Sequence, residues 1–180
     1  MFMPERLFCV GGLLIGLAAA PAGAAAVTEG PRLGQPASAA SIAARDLSVF
    51  PDGSGLPPGQ GRVETGKAVY QTRCATCHGP GGIGGSAEEL IGQGRLDGPT
   101  PDKSLGNYWP YATTVFDFVR RAMPLDRPGS LDDAEVYAVT AYLLYLNRLI
   151  PADTVLTADN LPRLVMPNRN GFVSVWPEKP

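Results

Sequence analysis

The chain has 180 residues, 44% of them hydrophobic, and a formal net charge of −2 from 15 basic and 17 acidic side chains. That is room for one ordinary domain with extensions and enough apolar material for a real core. The mildly acidic balance, with no basic cluster denser than Arg120-Arg121, excludes nucleic acid or an anionic membrane surface as partner, because both require a basic face.

In chain order, Arg6, an apolar run from Leu7 to Ala20 and small residues around Ala22 to Ala26 predict a secretory signal peptide over 1–26. A periplasmic location follows, with no membrane span after cleavage; a retained anchor is the alternative. Residues 27–60 are rich in Pro, Gly and Ala and read as an extended N-terminal arm or linker, with a short helix through "SAASIAARD" before the turn-forming "PDGSGLPPGQG". Disorder is the competing reading of this arm. The domain is placed at 61–150. Its first helix carries Val63, Ala68, Val69 and Tyr70 on one face and ends at "CATCH". Gly79 to Pro110 is a glycine-rich loop with one turn at "SAEELIG", long enough to suggest that it wraps a functional site. A second helix fits "ATTVFDFVRRA", stopped by Pro124. A third begins in a capping-box pattern at Ser130 and Asp133, repeats Val136, Val139, Leu143, Leu146 and Ile150 at helical spacing, and ends at Pro151. The tail, 151–180, carries five prolines and is expected to run extended over the surface. No sheet is expected, so the fold class is all-α.

"RCATCHGP" holds the sole histidine and, once the leader's Cys9 is gone, the only two cysteines. C-x-x-C-H is the attachment signature of a c-type haem. Each thiol adds across one vinyl group, and the following histidine projects onto one face of the iron. Cys74 and Cys77 are therefore the covalent tethers, and His78 the proximal ligand. A structural zinc site needs four ligands that the mature chain lacks. A thioredoxin-like redox pair would want a strand and helix setting, and a disulfide between cysteines so close is sterically poor. With one histidine and no third cysteine, the iron's other side falls to methionine, Met123 in "RRAMPLDRPG" or Met166 in "LVMPNRNGF". Met123 is preferred because Pro124 breaks the helix and presents the thioether on a loop, while an ordinary packing role is the alternative for either.

Other assignments are looser. Gly66 and Tyr70 are placed to meet Ala141 and Tyr142 across a close helix contact. Tyr108, Trp109 and Tyr111 either donate to haem propionates or simply pack. Arg120 and Arg121 either neutralise propionates or face solvent, and solvent is the expectation.

With C-x-x-C-H, a Met-Pro loop and "AYLLYLN" in the final helix, the central region resembles a class I cytochrome c domain. The resemblance implies a few helices wrapped around one covalently bound haem c. "PDGSGLPPGQG", "NYWPYATTVFDFVRRAMP" and "LTADNLPRLVMPNRNGF" widen it. Over roughly Gly34 to Phe172 the chain resembles the haem subunit of bacterial sulfite/sulfane dehydrogenases. Cys74, Cys77, His78 and Met123 fall on the matching haem positions, with His78 and Met123 as iron ligands. The resemblance implies no catalytic residue here but single-electron transfer in periplasmic sulfur oxidation, from a molybdenum-containing catalytic subunit to a downstream acceptor. Some members of that family carry a second haem domain, whereas this chain has a single C-x-x-C-H. A free-standing shuttle cytochrome is the alternative, and a haem enzyme or gas sensor with an exchangeable sixth ligand a further one. The arm and the tail, with Val155, Leu156, Leu161, Leu164, Val165, Phe172, Val175 and Trp176, are expected to clasp the partner subunit.

Overall fold

A computed structural model describes residues 33–92, 94–173 and 175. The expected signal peptide lies outside the described residues. The chain divides into two units, 1–36 and 37–180, and everything below concerns the second. Its elements are α1 (Ala39–Ala43), β1 (Gln60–Arg62), α2 (Val63–Arg73), α3 (Ala75–His78), α4 (Leu105–Tyr108), α5 (Ala112–Ala122), α6 (Asp133–Leu146), β2 (Val155–Thr157) and a 3-10 turn (Leu161–Arg163).

The mostly helical class is as expected, with local differences. α2 and α5 occupy the stretches that their periodicity marked. α2 opens with Glu64 in its first turn and closes with Arg73 in its last, each complementing the helix dipole. α6 begins two residues later than the Ser130 pattern suggested. Asp132 is the N-cap, accepting from the Glu135 N–H at 2.8 Å, while Glu135 accepts from the Asp132 N–H at 3.0 Å. The helix ends at Leu146 rather than at Pro151, because Arg148 turns to a φ of 61°. "SAEELIG" forms bends instead of a helical turn, and α4 appears in a loop whose sequence shows no period.

α6 is the centre of the molecule. Every residue from Val136 to Leu144 is buried, so it is not a one-faced amphipathic helix. α2, α5, β1 and β2 all contact it. Gly66 permits the closest approach: a Cβ there would lie 1.8 Å from the Ala138 carbonyl oxygen and 2.9 Å from the Tyr142 Cβ. The Tyr70 and Tyr142 rings meet at 5.3 Å, so the expected partner Tyr142 holds and Ala138 takes the place foreseen for Ala141.

A two-stranded antiparallel sheet, absent from the sequence reading, pairs Gln60 with Thr157, Gly61 with Leu156 and Arg62 with Val155. Three-residue strands are too short to leave an alternating pattern. The sheet draws the tail inward. Leu156 and Leu161 are fully buried and Met166 is 2% exposed, so the tail completes the core instead of merely crossing the surface. An isolated bridge from Tyr111 to Val165 and a bond from the Asn168 side-chain amide to the Tyr108 carbonyl, at 2.7 Å, hold it beside the start of α5. The later part of the arm packs against the helices: Val49 is buried, and the Tyr137 hydroxyl donates to the Pro57 carbonyl at 2.8 Å.

Candidate functional site

The motif residues occupy one turn. α2 closes at Cys74, whose carbonyl accepts from the N–H groups of Cys77 at 3.1 Å and His78 at 3.0 Å. Both thiols are free, Cys77 exposed and Cys74 half-buried. Burial, then the neighbouring Cys77, pushes the Cys74 thiol up to about 11. Gly79 then takes a φ of 80°, and the loop folds back over the motif. The Ala87 N–H donates to the Cys77 carbonyl at 2.8 Å, and a Cβ on Gly85 would sit 2.0 Å from that same oxygen. The run of glycines is thus the condition for the loop to lie this close.

This fold-back sets the imidazole. His78 Nδ1 lies 2.8 Å from the Glu88 carbonyl oxygen. A carbonyl only accepts, so Nδ1 must carry the hydrogen, which leaves the Nε2 lone pair free for a metal. The loop is pinned in turn. The Tyr70 hydroxyl donates to the Gly79 carbonyl at 2.8 Å, and burial pushes its pKa up to about 12, keeping it a donor. The Gln71 side chain donates to the Pro80 carbonyl at 2.9 Å, and Asn147 reaches the Leu90 carbonyl at 3.0 Å from the end of α6. Further along, Asp102 ties the loop to α4, accepting from Gly94, Ser104 and Asn107. Those bonds, the one from Gly94 foremost, hold its carboxyl below the usual range.

The two methionines differ in setting. Met123 caps α5, its N–H on the Val119 carbonyl at 3.1 Å, and stays partly buried at the edge of the core. Met166 is part of the core itself. Trp109 packs edge-on against Phe118, Tyr108 against Phe172, and Tyr111 lies under the Arg169 guanidinium. Arg121 is exposed as expected, its side chain 47% accessible while it pairs with Asp117 one turn back on α5. Arg120 departs from the solvent expectation: it is mostly covered and pairs with Asp133 at 3.2 Å, a contact between two helices that no periodicity marks.

The motif residues fit a covalently held haem: two unpaired thiols one turn apart and an imidazole whose Nε2 lone pair is free for a metal. Among the described residues, no group of three His, Cys, Asp or Glu side chains gathers as for a metal ion.

A family model described as "Cytochrome C oxidase, cbb3-type, subunit III" matches residues 61–143. The crystal structure of the sulfane dehydrogenase SoxCD from Paracoccus pantotrophus matches at 44% identity and a TM-score of 0.74, over 79% of this chain and 71% of that one. The chain belongs to the c-type cytochromes. A cytochrome of this family carries its haem covalently and moves electrons, and the present chain is similar to the cytochrome part of that sulfane dehydrogenase. It is also 34% identical over 90 residues to a thiosulfate dehydrogenase of Stutzerimonas stutzeri, a stretch that is 48% of this chain and 28% of that protein. Among the described residues no helix is long and apolar enough to cross a membrane.

Proposed function

We propose that this cytochrome is the non-catalytic, electron-carrying subunit of a periplasmic sulfane-type dehydrogenase, taking single electrons from a molybdenum-containing subunit. The observation that carries the reading is the extent of the likeness to the sulfane dehydrogenase structure. At 79% of the chain, it reaches well beyond the 61–143 stretch of the cytochrome domain.

In this reading Cys74 and Cys77 would hold one haem c through thioether bonds, and His78, through Nε2, and Met123, through its sulfur, would hold its iron. The haem, when bound, supplies a one-electron ferric–ferrous couple that a methionine ligand biases toward ferrous. The protein's share is positional. The Glu88 carbonyl fixes the tautomer and orientation of His78. The Tyr70 and Gln71 bonds keep the glycine loop folded back over the motif. With His78 and Met123 both committed to the iron, this chain would offer substrate no place on the metal, and sulfur chemistry would belong to the partner.

Optical spectra of ferric holoprotein test the ligand assignment. Met123→Ala is expected to abolish the weak far-red sulfur-to-iron band and to let carbon monoxide bind the ferrous form readily. A band that persists moves the role to Met166. Co-purification of the tagged, exported chain with a molybdenum-containing subunit supports the assembly, and isolation as a lone cytochrome favours the shuttle role.

A further inference from the structure

A charged cluster unrelated to the attachment motif, with a buried carboxylate at its centre and its guanidinium partner Arg121 reaching solvent, lies along the last turns of α5. Asp117 is 9% exposed. One carboxylate oxygen accepts from the Val49 N–H at 2.8 Å and from Arg121 Nε at 3.0 Å, and the other pairs with Arg121 Nη2. Beside it, Arg120 donates to Asp133 and, at 3.2 Å, to the Leu47 carbonyl. Two backbone groups of the N-terminal arm are thus fastened to the final two turns of α5. That helix ends at Met123, two residues past Arg121.

A carboxylate is costly to bury unless it is fully bonded, and here its partners are a guanidinium and an amide from a segment 68 residues away. A helix's own geometry asks for no such link. What the link does is remove the freedom of the turn from which Met123 departs. A thioether is a weak ligand to ferric iron, so its retention depends on how firmly the chain holds the sulfur in place.

We infer that Asp117 is a positioning residue for Met123, with the Leu47–Val49 segment of the arm as the brace that keeps the thioether at its post. The inference rests on Met123 being the axial ligand and extends it: arm and ligand are mechanically linked, so whatever grips or releases the arm acts on the metal.

The test uses full-length holoprotein. Met123→Ala comes first, and persistence of the far-red band there overturns the ligand reading and this inference with it. Given loss of the band, Asp117→Asn and Arg121→Gln are compared with Glu135→Ala, which removes the acceptor of the α6 capping box and serves as a control for general destabilisation. Asp117→Asn is expected to bind carbon monoxide in the ferrous state roughly tenfold faster than wild type, in proportion to the larger fraction with sulfur detached. Arg121→Gln is expected to shift the same way by a smaller factor, and Glu135→Ala to stay within about twofold. Asp117→Asn matching wild type, or the control rising equally, overturns the positioning role while leaving Met123 as ligand. If Asp117→Asn fails to accumulate, Arg121→Gln decides alone: a wild-type rate overturns the inference.

Discussion

The two cysteines of the motif sit one turn apart in different surroundings. Cys77 is exposed, while Cys74 is half-buried with its thiol pushed up to about 11 by burial. Since the thiolate is the reacting form, haem-free protein near pH 8 should be alkylated faster at Cys77 than at Cys74, as peptide mass spectrometry would show. Asp117 makes a second prediction. Burial raises its carboxyl pKa, but bonds from Arg121 and Val49 outweigh that and hold it below 3.8. A depressed folded-state pKa contributes stability above the unfolded value that is lost as pH falls through the folded one. Thermal melts should therefore show part of the acid sensitivity below about pH 4 missing in Asp117→Asn. At this scale the sequence showed the chemistry that side chains declare, the C-x-x-C-H motif of a c-type cytochrome. It could not show Glu88, whose contribution to His78 is a backbone carbonyl that any residue carries. Nor could it show that Asp117, whose i,i+4 spacing to Arg121 is readable, also accepts from the Val49 N–H 68 residues away, a contact made only once the chain has folded.

Helices with strong punctuation were legible as elements. α5 carries an apolar face and stops before Pro124, and its span matches the sequence pattern. α6 was visible, but its complete burial was not, since that comes from the neighbours around it rather than from its own period. α4 and the two short strands leave too few residues to register any period. The contact between α2 and α6 gives the most direct test at this scale. An alanine at Gly66 would place its Cβ 1.8 Å from the Ala138 carbonyl oxygen, a backbone atom that cannot rotate away. Gly66→Ala should cost about 3 kcal/mol or more, read as a lowered denaturant midpoint, by forcing the helices apart. The tilted pairing of Tyr70 and Tyr142, at 5.3 Å, would loosen with it and with it the bond that closes the glycine loop.

Across the molecule, the terminal segments divide between core and surface. Leu156, Leu161 and Met166 are buried, while Val165, Phe172, Val173 and Val175 are exposed at 51% or more. Deleting everything after Pro151 would remove three core side chains, each worth roughly 1.5–3 kcal/mol of burial, and unfold the protein. Partner docking is better probed by Val173→Asp with Val175→Asp. These substitutions should leave the melting temperature near wild type and weaken co-purification with the catalytic subunit if the tail grips it. An unchanged yield of complex would remove the tail from the interface.

The ladder between β1 and β2 has a geometric meaning for any such grip. Gln60 faces Thr157, so the arm and the tail lie side by side against the helical body, though nearly a hundred residues separate them in sequence. A body hung from one strand can spin about it. One hung from two strands that meet at a single edge cannot, so a partner holding both would receive this cytochrome at a fixed angle, with the same face toward it at every turnover.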